Sequence, residues 1–476
     1  MGCSFLVCEH VHIKSFTIRN FHVILYIMAN CGAFCIIMFA HKIRSRKMTK
    51  NFKKFDMKKP PIRQRQWLRP VTWALSFPFT TLQHTKIIKK NCEGLKPPYI
   101  LLCNHNGFFD FMVATHAIFP HRANYVVAID GFFGFPGKKW ILRQVGGICK
   151  RKFTTDIMLI RQIKRVVTNG DVVVLYPEAR YSLCGTQSEL HESIGQMCKM
   201  MKVPVVTLKC VGNHLKSPFW NTKDRKVPYT EAHLTQLFNA EELQAASVDE
   251  INAKIAEAFE YDDFAWQKEN NIKITASYRA EGLHRVLYQC PHCNTEYKMT
   301  SKGDTIKCEH CGKSWKMTEL GELVATSGET EFSHIPDWYE WERANVREEV
   351  RSGKYHFESE CHVKSMPNGV RFYDIGEGTI VHDYDGFRLK GSGKYGDFEM
   401  ERKSAGLEAC HIEYNYLGKH GDCIDLNTLD DTFYIFPHIK DFAVTKIALA
   451  TEEIFRDIRE KTPKHPTRRR EVSAAQ

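Results

Sequence analysis

Four short, nearly continuous apolar runs in the first half of the chain restrict its fold more than any other feature. They are Tyr99–Cys103, Tyr125–Ile129, Val172–Tyr176 and Val203–Lys209. Runs of this length that are rich in valine and isoleucine are typical of parallel strands buried on both faces. Amphipathic helical stretches, at about residues 156–168 and 188–201, lie between them. This alternation predicts an α/β domain with a mainly parallel sheet flanked by helices.

The size and charge of the chain limit the classes of protein to which it can belong. Its 476 residues are enough for two or three domains. A hydrophobic share of 43% is ordinary for a globular protein, which excludes a disordered chain and a multi-span membrane protein. The net charge of +12 favours anionic partners, namely membrane lipid, phosphorylated substrates or nucleic acid.

The N-terminal region has features that indicate contact with a membrane. Residues 21–40 contain no Lys, Arg, Asp or Glu, and a stretch of that length can span a bilayer. The basic segment 42–65 follows, which favours anionic lipid and a cytoplasmic location for the rest of the chain. The alternatives are a solvated basic arm and an upstream extension ahead of a start at Met48. Mixed aromatic and basic residues between 60 and 90 predict an interfacial helix or an ordinary core helix.

Four of the 17 cysteines form a metal-binding pattern. Cys290, Cys293, Cys308 and Cys311 are spaced as Cys-x₂-Cys-x₁₄-Cys-x₂-Cys, which predicts two tight turns that complete a tetrahedral zinc site. Because four cysteines close the coordination sphere, the zinc would be structural. Redox-active cysteine pairs are the alternative. The other cysteines are scattered, as in proteins of a reducing compartment. No set of stacking aromatic residues accompanies the pattern, so no nucleic-acid partner is expected.

The second half of the chain changes in character. Residues 212–280 are predicted to be helical and loop-rich, with a capping box at Ser247–Glu250. Beyond about residue 330, short strand-like stretches separated by glycine and aspartate turns predict a β-rich domain, compatible with a pleckstrin-homology-like barrel. The stretches are Gly369–Tyr373, Thr379–His382, Phe398–Arg402, Cys410–Tyr416 and Thr432–Phe436, and a helix at about 444–459 follows.

The predicted organisation has five parts. They are an apolar membrane segment with its basic flank or an upstream extension (1–47), an α/β domain (48–275), a zinc ribbon (285–318), a β-rich domain (340–460) and a basic tail (461–476).

The junction after the first apolar run carries His105 and Asp110, five residues apart. Strand-to-helix junctions are where α/β folds place their functional groups. A neutral imidazole can remove a proton from a hydroxyl when a carboxylate holds its other nitrogen. The spacing allows that contact if Asp110 lies in the first turn of a helix. Taken alone, the pair favours a capping aspartate beside a surface histidine, because this spacing often occurs by chance.

Four sequence blocks resemble, in order, the motifs of the glycerophospholipid acyltransferase family, which includes lysophosphatidic acid acyltransferases. The blocks are Asn104–Asp110, Gly146–Lys152, Val174–Ser182 and Val203–Val206. The resemblance extends over about residues 60–270 and implies that the predicted α/β domain is an acyltransferase domain. It implies that His105 deprotonates the acceptor hydroxyl, that Asp110 orients His105, and that no metal takes part in the transfer.

The resemblance also implies a phosphate-binding role for the second and third blocks. Arg151 and Arg180 are the candidate ligands, because a guanidinium can grip a phosphate with two hydrogen bonds. Glu178 is expected to bond an acceptor hydroxyl or to hold a basic residue in place. Ordinary surface ion pairs are the alternative for all three residues.

Two departures from the family pattern affect these candidates. In the third block, Ala179 replaces the usual glycine and Tyr181 takes the position of the usual arginine, so Arg180 comes one residue early. In the second block, either Arg151 or Lys152 can be matched to the family's basic residue. Acceptor identity is the inference that these departures affect most.

The expected function is transfer of a fatty acyl group from acyl-CoA or acyl carrier protein to 1-acyl-glycerol-3-phosphate, giving phosphatidic acid. One alternative is a different acceptor, either another lysophospholipid or an amino-acid lipid. A second alternative is a non-catalytic membrane scaffold, in which the zinc ribbon and the β-rich domain recruit partners. The expected partners are membrane lipid, the lysophospholipid substrate and, if it is the donor, acyl carrier protein. The expected location is the cytoplasmic face of a membrane.

Overall fold

A computed structural model of the chain describes residues 52–462, except residues 222 and 419. The predicted membrane segment at 21–40 and nearly all of the predicted basic tail lie outside the described residues. Among the described helices, none combines the length and the apolar character needed to cross a membrane.

The first sheet contains seven strands. They are β1 (Thr85–Lys90), β2 (Ile100–Cys103), β3 (Ala123–Ala128), β4 (Ile148–Lys150), β5 (Val172–Leu175), β6 (Val205–Val211) and β7 (Thr230–Phe238). Their order is β1-β7-β6-β2-β5-β3-β4. The five strands from β6 to β4 are parallel, whereas β7 is antiparallel to β6 and pairs in parallel with β1. The prediction of a mainly parallel sheet is confirmed.

The helices flank this sheet or lie in the C-terminal half. They are α1 (Leu68–Leu82), α2 (Asp110–Ile118), α3 (Lys138–Gln144), α4 (Ile157–Thr168), α5 (Ser193–Met201), α6 (Asn213–Lys216), α7 (Ala240–Ala245), α8 (Val248–Ala258), α9 (Asp263–Glu269), α10 (Ile335–Arg351) and α11 (Val444–Lys461). The Asp156 side chain caps α4 by accepting from two backbone N–H groups of its first turn. The predicted capping box of Ser247 and Glu250 opens α8.

Strand β7 is the main difference from the sequence prediction in this domain, because residues 212–280 were expected to be helical and loop-rich. Its sequence mixes polar and apolar residues, and buried positions alternate with partly exposed ones over its first half. That pattern is typical of an antiparallel strand with one solvated face. The strand forms only because β6 and β1 are available on its two sides.

Two further sheets follow the α/β domain. A small antiparallel sheet of order β11-β10-β9-β8 contains β8 (Met299–Lys302), β9 (Thr305–Cys308), β10 (Ser314–Met317) and β11 (Leu323–Ala325). The third sheet contains β12 (Phe357–Ser365), β13 (Tyr373–Asp383), β14 (Gly386–Gly393), β15 (Gly396–Lys403), β16 (His411–Glu413), β17 (Cys423–Asn427) and β18 (Thr432–Pro437). Its order is β15-β14-β13-β12-β18-β17-β16, with antiparallel pairing throughout.

The prediction of a β-rich C-terminal region followed by a helix is confirmed, while the pleckstrin-homology-like arrangement stays a prediction. The predicted strand Gly369–Tyr373 is wrong. Gly369 has a φ of +63°, and the Asn368 side chain accepts hydrogen bonds from the backbone N–H groups of Val370 and Arg371. These contacts make a turn, and the strand begins at Tyr373.

One continuous hydrophobic core joins the α/β domain to the rest of the chain. It contains Trp220 and Phe264 from the α/β domain, Trp315 from the small sheet and Ile435 from the C-terminal sheet. The C-terminal sheet and α11 also bond to residues that follow β4 and β5. Because β4 and β5 are parallel, these contacts lie at the carboxyl edge of the first sheet.

Candidate active site and four-cysteine cluster

His105 and Asp110 lie between the end of β2 and the first residue of α2. His105 Nδ1 is 3.1 Å from Asp110 Oδ2. The buried carboxylate also accepts hydrogen bonds from the Gly107 backbone N–H, at 2.9 Å, and from Asn213 Nδ2, at 2.7 Å. With Nδ1–H donated to Asp110, the other ring nitrogen, Nε2, carries a lone pair that can accept a proton. The His105 side chain is 22% exposed and lines a cavity.

Asn213 was not singled out from the sequence. It begins α6, just after β6 ends, and its amide reaches Asp110 across the carboxyl edge of the sheet. The buried Asp263 carboxylate accepts from the backbone N–H groups on both sides of Asn213, those of Gly212 (3.0 Å) and His214 (3.1 Å). Burial raises the pKa of Asp263 to about 7. In the sequence, the only indication that Asn213 belongs to the site was its position just after the end of a predicted parallel strand.

Glu178 holds the histidine loop against the loop after β5. Its carboxylate oxygens accept from the backbone N–H groups of His105 (3.0 Å) and Ser188 (2.8 Å). In return, the Ser182 backbone N–H donates to the His105 carbonyl at 2.9 Å. Burial raises the pKa of Glu178, while these hydrogen bonds oppose the rise. In this structure Glu178 therefore fixes the backbone of His105.

Ala179 has a backbone conformation that favours glycine, the residue that the family pattern has at this position. Its φ is +55°, which lies in the left-handed region that favours glycine. Tyr181, two residues after Ala179, packs its ring on the His105 imidazole, with the ring centroids 4.1 Å apart. Tyr176 packs on the same imidazole at 4.6 Å. Two tyrosines therefore surround His105, and one of them stands where the family pattern has an arginine.

The two arginines predicted to bind substrate are buried, and both bond to the C-terminal half of the chain. Arg151 donates to Thr432 Oγ1 at 2.6 Å and to the carbonyls of Pro367 (2.9 Å) and Asp430 (2.8 Å). Arg180 forms an ion pair with Glu452 of α11. Of the two, only Arg180 lines the cavity that contains His105. Their role in substrate binding stays a prediction.

The cavity that contains His105 has a volume of about 1390 Å³. Small-molecule sites usually occupy about 300–1,000 Å³, so this cavity has room for a ligand larger than a typical small molecule. Much of its lining is apolar. Representative apolar lining residues are Leu75, Phe108, Phe111, Met112, Ile160 and Met197.

The four cysteines converge as the sequence spacing predicts. All four Sγ atoms lie within 4.8 Å of one another, with Cys290–Cys311 and Cys293–Cys308 separations of 3.8 Å. Tetrahedral zinc with Zn–S bonds of about 2.3 Å requires S–S separations of about 3.8 Å, so the cluster fits that ion. The neighbouring His292 is bonded to Glu331. The cluster could therefore hold a metal ion with four sulfur ligands.

His105 lies within a segment of the chain that matches a known protein family. Residues 81–211 match the sequence model of the Acyltransferase family. No curated protein matches the chain. Among solved structures, the chain is similar to the 1-acyl-sn-glycerophosphate (LPA) acyltransferase PlsC from Thermotoga maritima, at 14% identity and a TM-score of 0.34. That similarity covers 51% of this chain and 95% of the other.

Proposed function

We propose that this chain, whose residues 81–211 are an Acyltransferase-family domain, moves a fatty acyl group from a thioester to the hydroxyl of a lysophospholipid. One observation carries the proposal. His105 is held by a buried, triply hydrogen-bonded carboxylate at its Nδ1 and lines a large, mostly apolar cavity. This arrangement suits a general base that acts on a lipid hydroxyl.

In the proposed reaction, His105 Nε2 removes the proton from the acceptor hydroxyl as the oxygen attacks the thioester carbonyl. A new C–O bond forms, the C–S bond breaks, and the thiol leaves with the proton that His105 carried. Asp110 stabilises the imidazolium during the transfer and keeps Nε2 directed at the substrate. Glu178 and Asn213 act through His105 and Asp110, so they are positioning residues. Both acyl-CoA and acyl carrier protein could supply the thioester.

The predicted acceptor is 1-acyl-glycerol-3-phosphate, whose acylation gives phosphatidic acid. The family resemblance of the four sequence blocks supports this choice. The environment of Arg151 and Arg180 does not strengthen it, because both side chains bond to residues of the C-terminal half.

We further propose that the protein works at a membrane surface on the cytoplasmic face. Large apolar side chains on and beside α1 and α2 are solvent-exposed, among them Leu75 (50%), Phe108 (58%) and Phe111 (42%). The same three side chains line the cavity, so a lipid could pass between a bilayer and the site without crossing water. Co-sedimentation with anionic vesicles tests this, with Phe108→Asp expected to bind more weakly than wild type.

We also propose that the four-cysteine cluster holds zinc in a structural role. Four sulfur ligands leave no open coordination position for a substrate or a water molecule. The acyl transfer would therefore depend on zinc only through the stability of the fold.

A transfer assay of the wild type and His105→Ala tests the proposed function, using both donor types with lysophosphatidic acid and other lysophospholipids. Loss of a general base should lower the rate by about 10²–10⁴-fold. His233→Ala is the matched control, because His233 lies on β7, bonds to Glu231 and is absent from the cavity lining. Full activity of His105→Ala, or no transfer by the wild type with any donor, would favour the scaffold alternative.

A further inference from the structure

Asp263, the first residue of α9, holds the loop that carries Asn213. Its carboxylate is fully buried, and each of its oxygens accepts one backbone N–H group. Oδ1 accepts from Gly212 at 3.0 Å, and Oδ2 accepts from His214 at 3.1 Å. Because these two groups lie on either side of Asn213, the carboxylate fixes the backbone before and after that residue. Asp263 lies beyond residues 81–211, the segment that matches the Acyltransferase family.

A third donor reaches the same carboxylate from the histidine loop. Asn106 Nδ2 lies 3.4 Å from Asp263 Oδ2 and also donates to the Cys210 carbonyl at 3.0 Å. The orientation of this amide is fixed, because Asn106 Oδ1 accepts from Asn104 Nδ2 at 2.9 Å. The amide nitrogen of Asn106 therefore faces Asp263, and all three of these contacts bring a donor to the carboxylate.

Three donors need an acceptor at both oxygens of Asp263. An ionised carboxylate meets this need because it carries no hydrogen of its own. A protonated carboxyl has a hydrogen on one oxygen, and an asparagine amide replaces that oxygen by a donor. In either case one of the two backbone bonds to the loop is weakened or lost, which is costly for a buried N–H group. The loop around Asn213 is therefore held most firmly when Asp263 is ionised.

Asn213 transmits this constraint to the reacting histidine. Its Nδ2 donates to Asp110 Oδ1 at 2.7 Å, and Asp110 Oδ2 lies 3.1 Å from His105 Nδ1. The position of the Asn213 amide depends on the backbone that carries it, so a shift of the loop alters the hydrogen bond to Asp110. The orientation of the imidazole depends in turn on that carboxylate.

We infer that Asp263, in its ionised form, is a positioning residue for the proposed acyl transfer. It keeps the loop Gly212–His214 in the position from which Asn213 orients Asp110 and, through it, His105. The inference rests on the proposed function and adds α9 to the elements that form the site. Asp263 is absent from the lining of the cavity that contains His105, so it acts on the reaction through these contacts.

The charge of Asp263 changes near neutral pH, because burial raises its pKa to about 7. Burial also raises the pKa of the Cys210 thiol and the Tyr261 hydroxyl and lowers that of His214 to about 3. Burial is outweighed by hydrogen bonds at Asp262, whose pKa is lowered. These four groups therefore keep their charge between pH 6 and 8. The titratable groups that face Asp263 are Asp110 on α2, Cys210 on β6, His214 on α6, and Tyr261 and Asp262 just before α9.

The ratio of the wild-type kcat to the Asp263→Asn kcat tests the inference, with lysophosphatidic acid or the lysophospholipid that the wild type acylates fastest. We expect a ratio of about ten at pH 8, where the wild-type carboxylate is ionised, and about two at pH 6, with KM nearly unchanged. Protonation of His105 affects both proteins alike and cancels in the ratio. The stability that Asp263 contributes declines as pH rises, so a merely structural role would not make the ratio rise.

Asp262→Asn is the matched control for this experiment. Asp262 precedes Asp263, but its carboxylate bonds to the Ala265 backbone N–H and to His334 instead of to the loop. Asparagine is also a good helix cap, so kcat should equal that of the wild type at both pH values. A ratio for Asp263→Asn that is independent of pH, or a rise in KM at constant kcat, would overturn the inference.

Combining the substitution with Asn213→Ala shows whether Asp263 acts through Asn213. The double variant Asp263→Asn/Asn213→Ala should have a kcat within about twofold of Asn213→Ala alone, whereas independent effects would multiply and contradict the inference. If Asp263→Asn does not fold, Asn213→Ala serves alone. The wild-type kcat divided by that of Asn213→Ala should be larger at pH 8 than at pH 6, and an equal ratio would count against Asp263.

Hydrogen exchange tests the hold on the loop without any turnover. The backbone amides of Gly212 and His214 should exchange faster in Asp263→Asn than in the wild type at pH 8, with no change in Asp262→Asn. Equal exchange in the three proteins would show that the carboxylate does not hold the loop. Failure of the proposed function is a separate result, namely no acyl transfer to any acceptor or equal activity of wild type and His105→Ala.

Discussion

The four-cysteine cluster and the His105 site are both built on short sequence motifs, but they are held together differently. All four sulfur atoms come from residues 290–311, on turns that flank a single hairpin of the small sheet. The working geometry of His105 instead depends on Glu178, from the loop after β5, and on Asn213, beyond β6. When all residues of a motif lie on or beside one hairpin, that hairpin alone sets their relative positions. A motif at a sheet edge obtains its geometry from residues far along the chain.

The two regions therefore predict different consequences of mutation. In the cysteine cluster, we expect metal binding to be lost almost only when one of the four ligand cysteines is substituted. In the histidine site, residues that never touch the substrate should alter the rate because they orient the ones that do.

The largest expected effect comes from Cys308→Ser in the four-cysteine cluster. Structural zinc contributes about 10–16 kcal/mol of apparent binding free energy in zinc-finger peptides, and loss of one thiolate should abolish most of it. We expect bound zinc to fall from about one per chain to a small fraction, with a lower urea midpoint. Elemental analysis and urea unfolding measure both. Cys92→Ser, outside the cluster, is the control, and unchanged metal content in Cys308→Ser would refute the site.

The next largest effect is expected for substitution of Arg180. It distinguishes a structural role of this arginine from a role in substrate binding. Its partner Glu452 is buried and also pairs with Arg343 at 2.6 Å. Removing one member of a buried ion pair leaves an uncompensated charge, so Arg180→Met should lower the free energy of unfolding by about 3–5 kcal/mol. The double variant Arg180→Met/Glu452→Met should recover part of the loss.

Arg161→Met, at an exposed position of α4, is the matched control for the arginine experiment and should unfold like the wild type. If Arg180→Met instead retained full stability and raised only the KM for a phosphorylated acceptor, Arg180 would be the phosphate ligand that the resemblance implies.

Asn213→Ala should have a smaller effect, which we expect on the rate of the proposed acyl transfer. The Asp110 carboxylate would lose one of its three hydrogen bonds and hold His105 less rigidly. A displacement of about 1 Å near a reacting group can lower a rate by about 10²-fold, so we expect kcat to fall by up to that factor with KM nearly unchanged. Asn169→Ala, at an exposed position, is the control. A rise in KM at constant kcat would place Asn213 in substrate binding.

A pH dependence of stability is expected from Asp263, whose pKa is raised by burial to about 7. Between its ordinary pKa of 3.8 and 7, the folded state binds more protons than the unfolded state. Stability from this group is therefore present at low pH and declines as pH rises, by at most about 1.4 kcal/mol per unit. Asp263→Asn should flatten that decline in urea unfolding at pH 5, 6 and 7. An unchanged slope would show that Asp263 does not titrate there.

Local pattern was enough to predict several features of the fold and the sites. The β2, β5 and β6 strands were predicted from continuous apolar runs because burial on both faces leaves no polar positions. The cysteine cluster was predicted from spacing because its turns are short. By contrast, β7 is half polar and became a strand only between β6 and β1. The turn at Gly369 depends on the Asn368 side chain, which the strand-like composition did not reveal.

The sequence by itself determined the α/β class, the four blocks that resemble acyltransferase motifs, the spacing that allows His105 to contact Asp110, and the convergence of four thiols. Each of these depends on residues close together in the chain. Only the tertiary structure decided that Arg151 and Arg180 bond to the C-terminal half, and that Asn213 supports Asp110. It also decided that the C-terminal sheet forms a wall of the cavity. The physical reason is that a buried charge must find its partner in space, and sequence separation sets no limit on where that partner comes from.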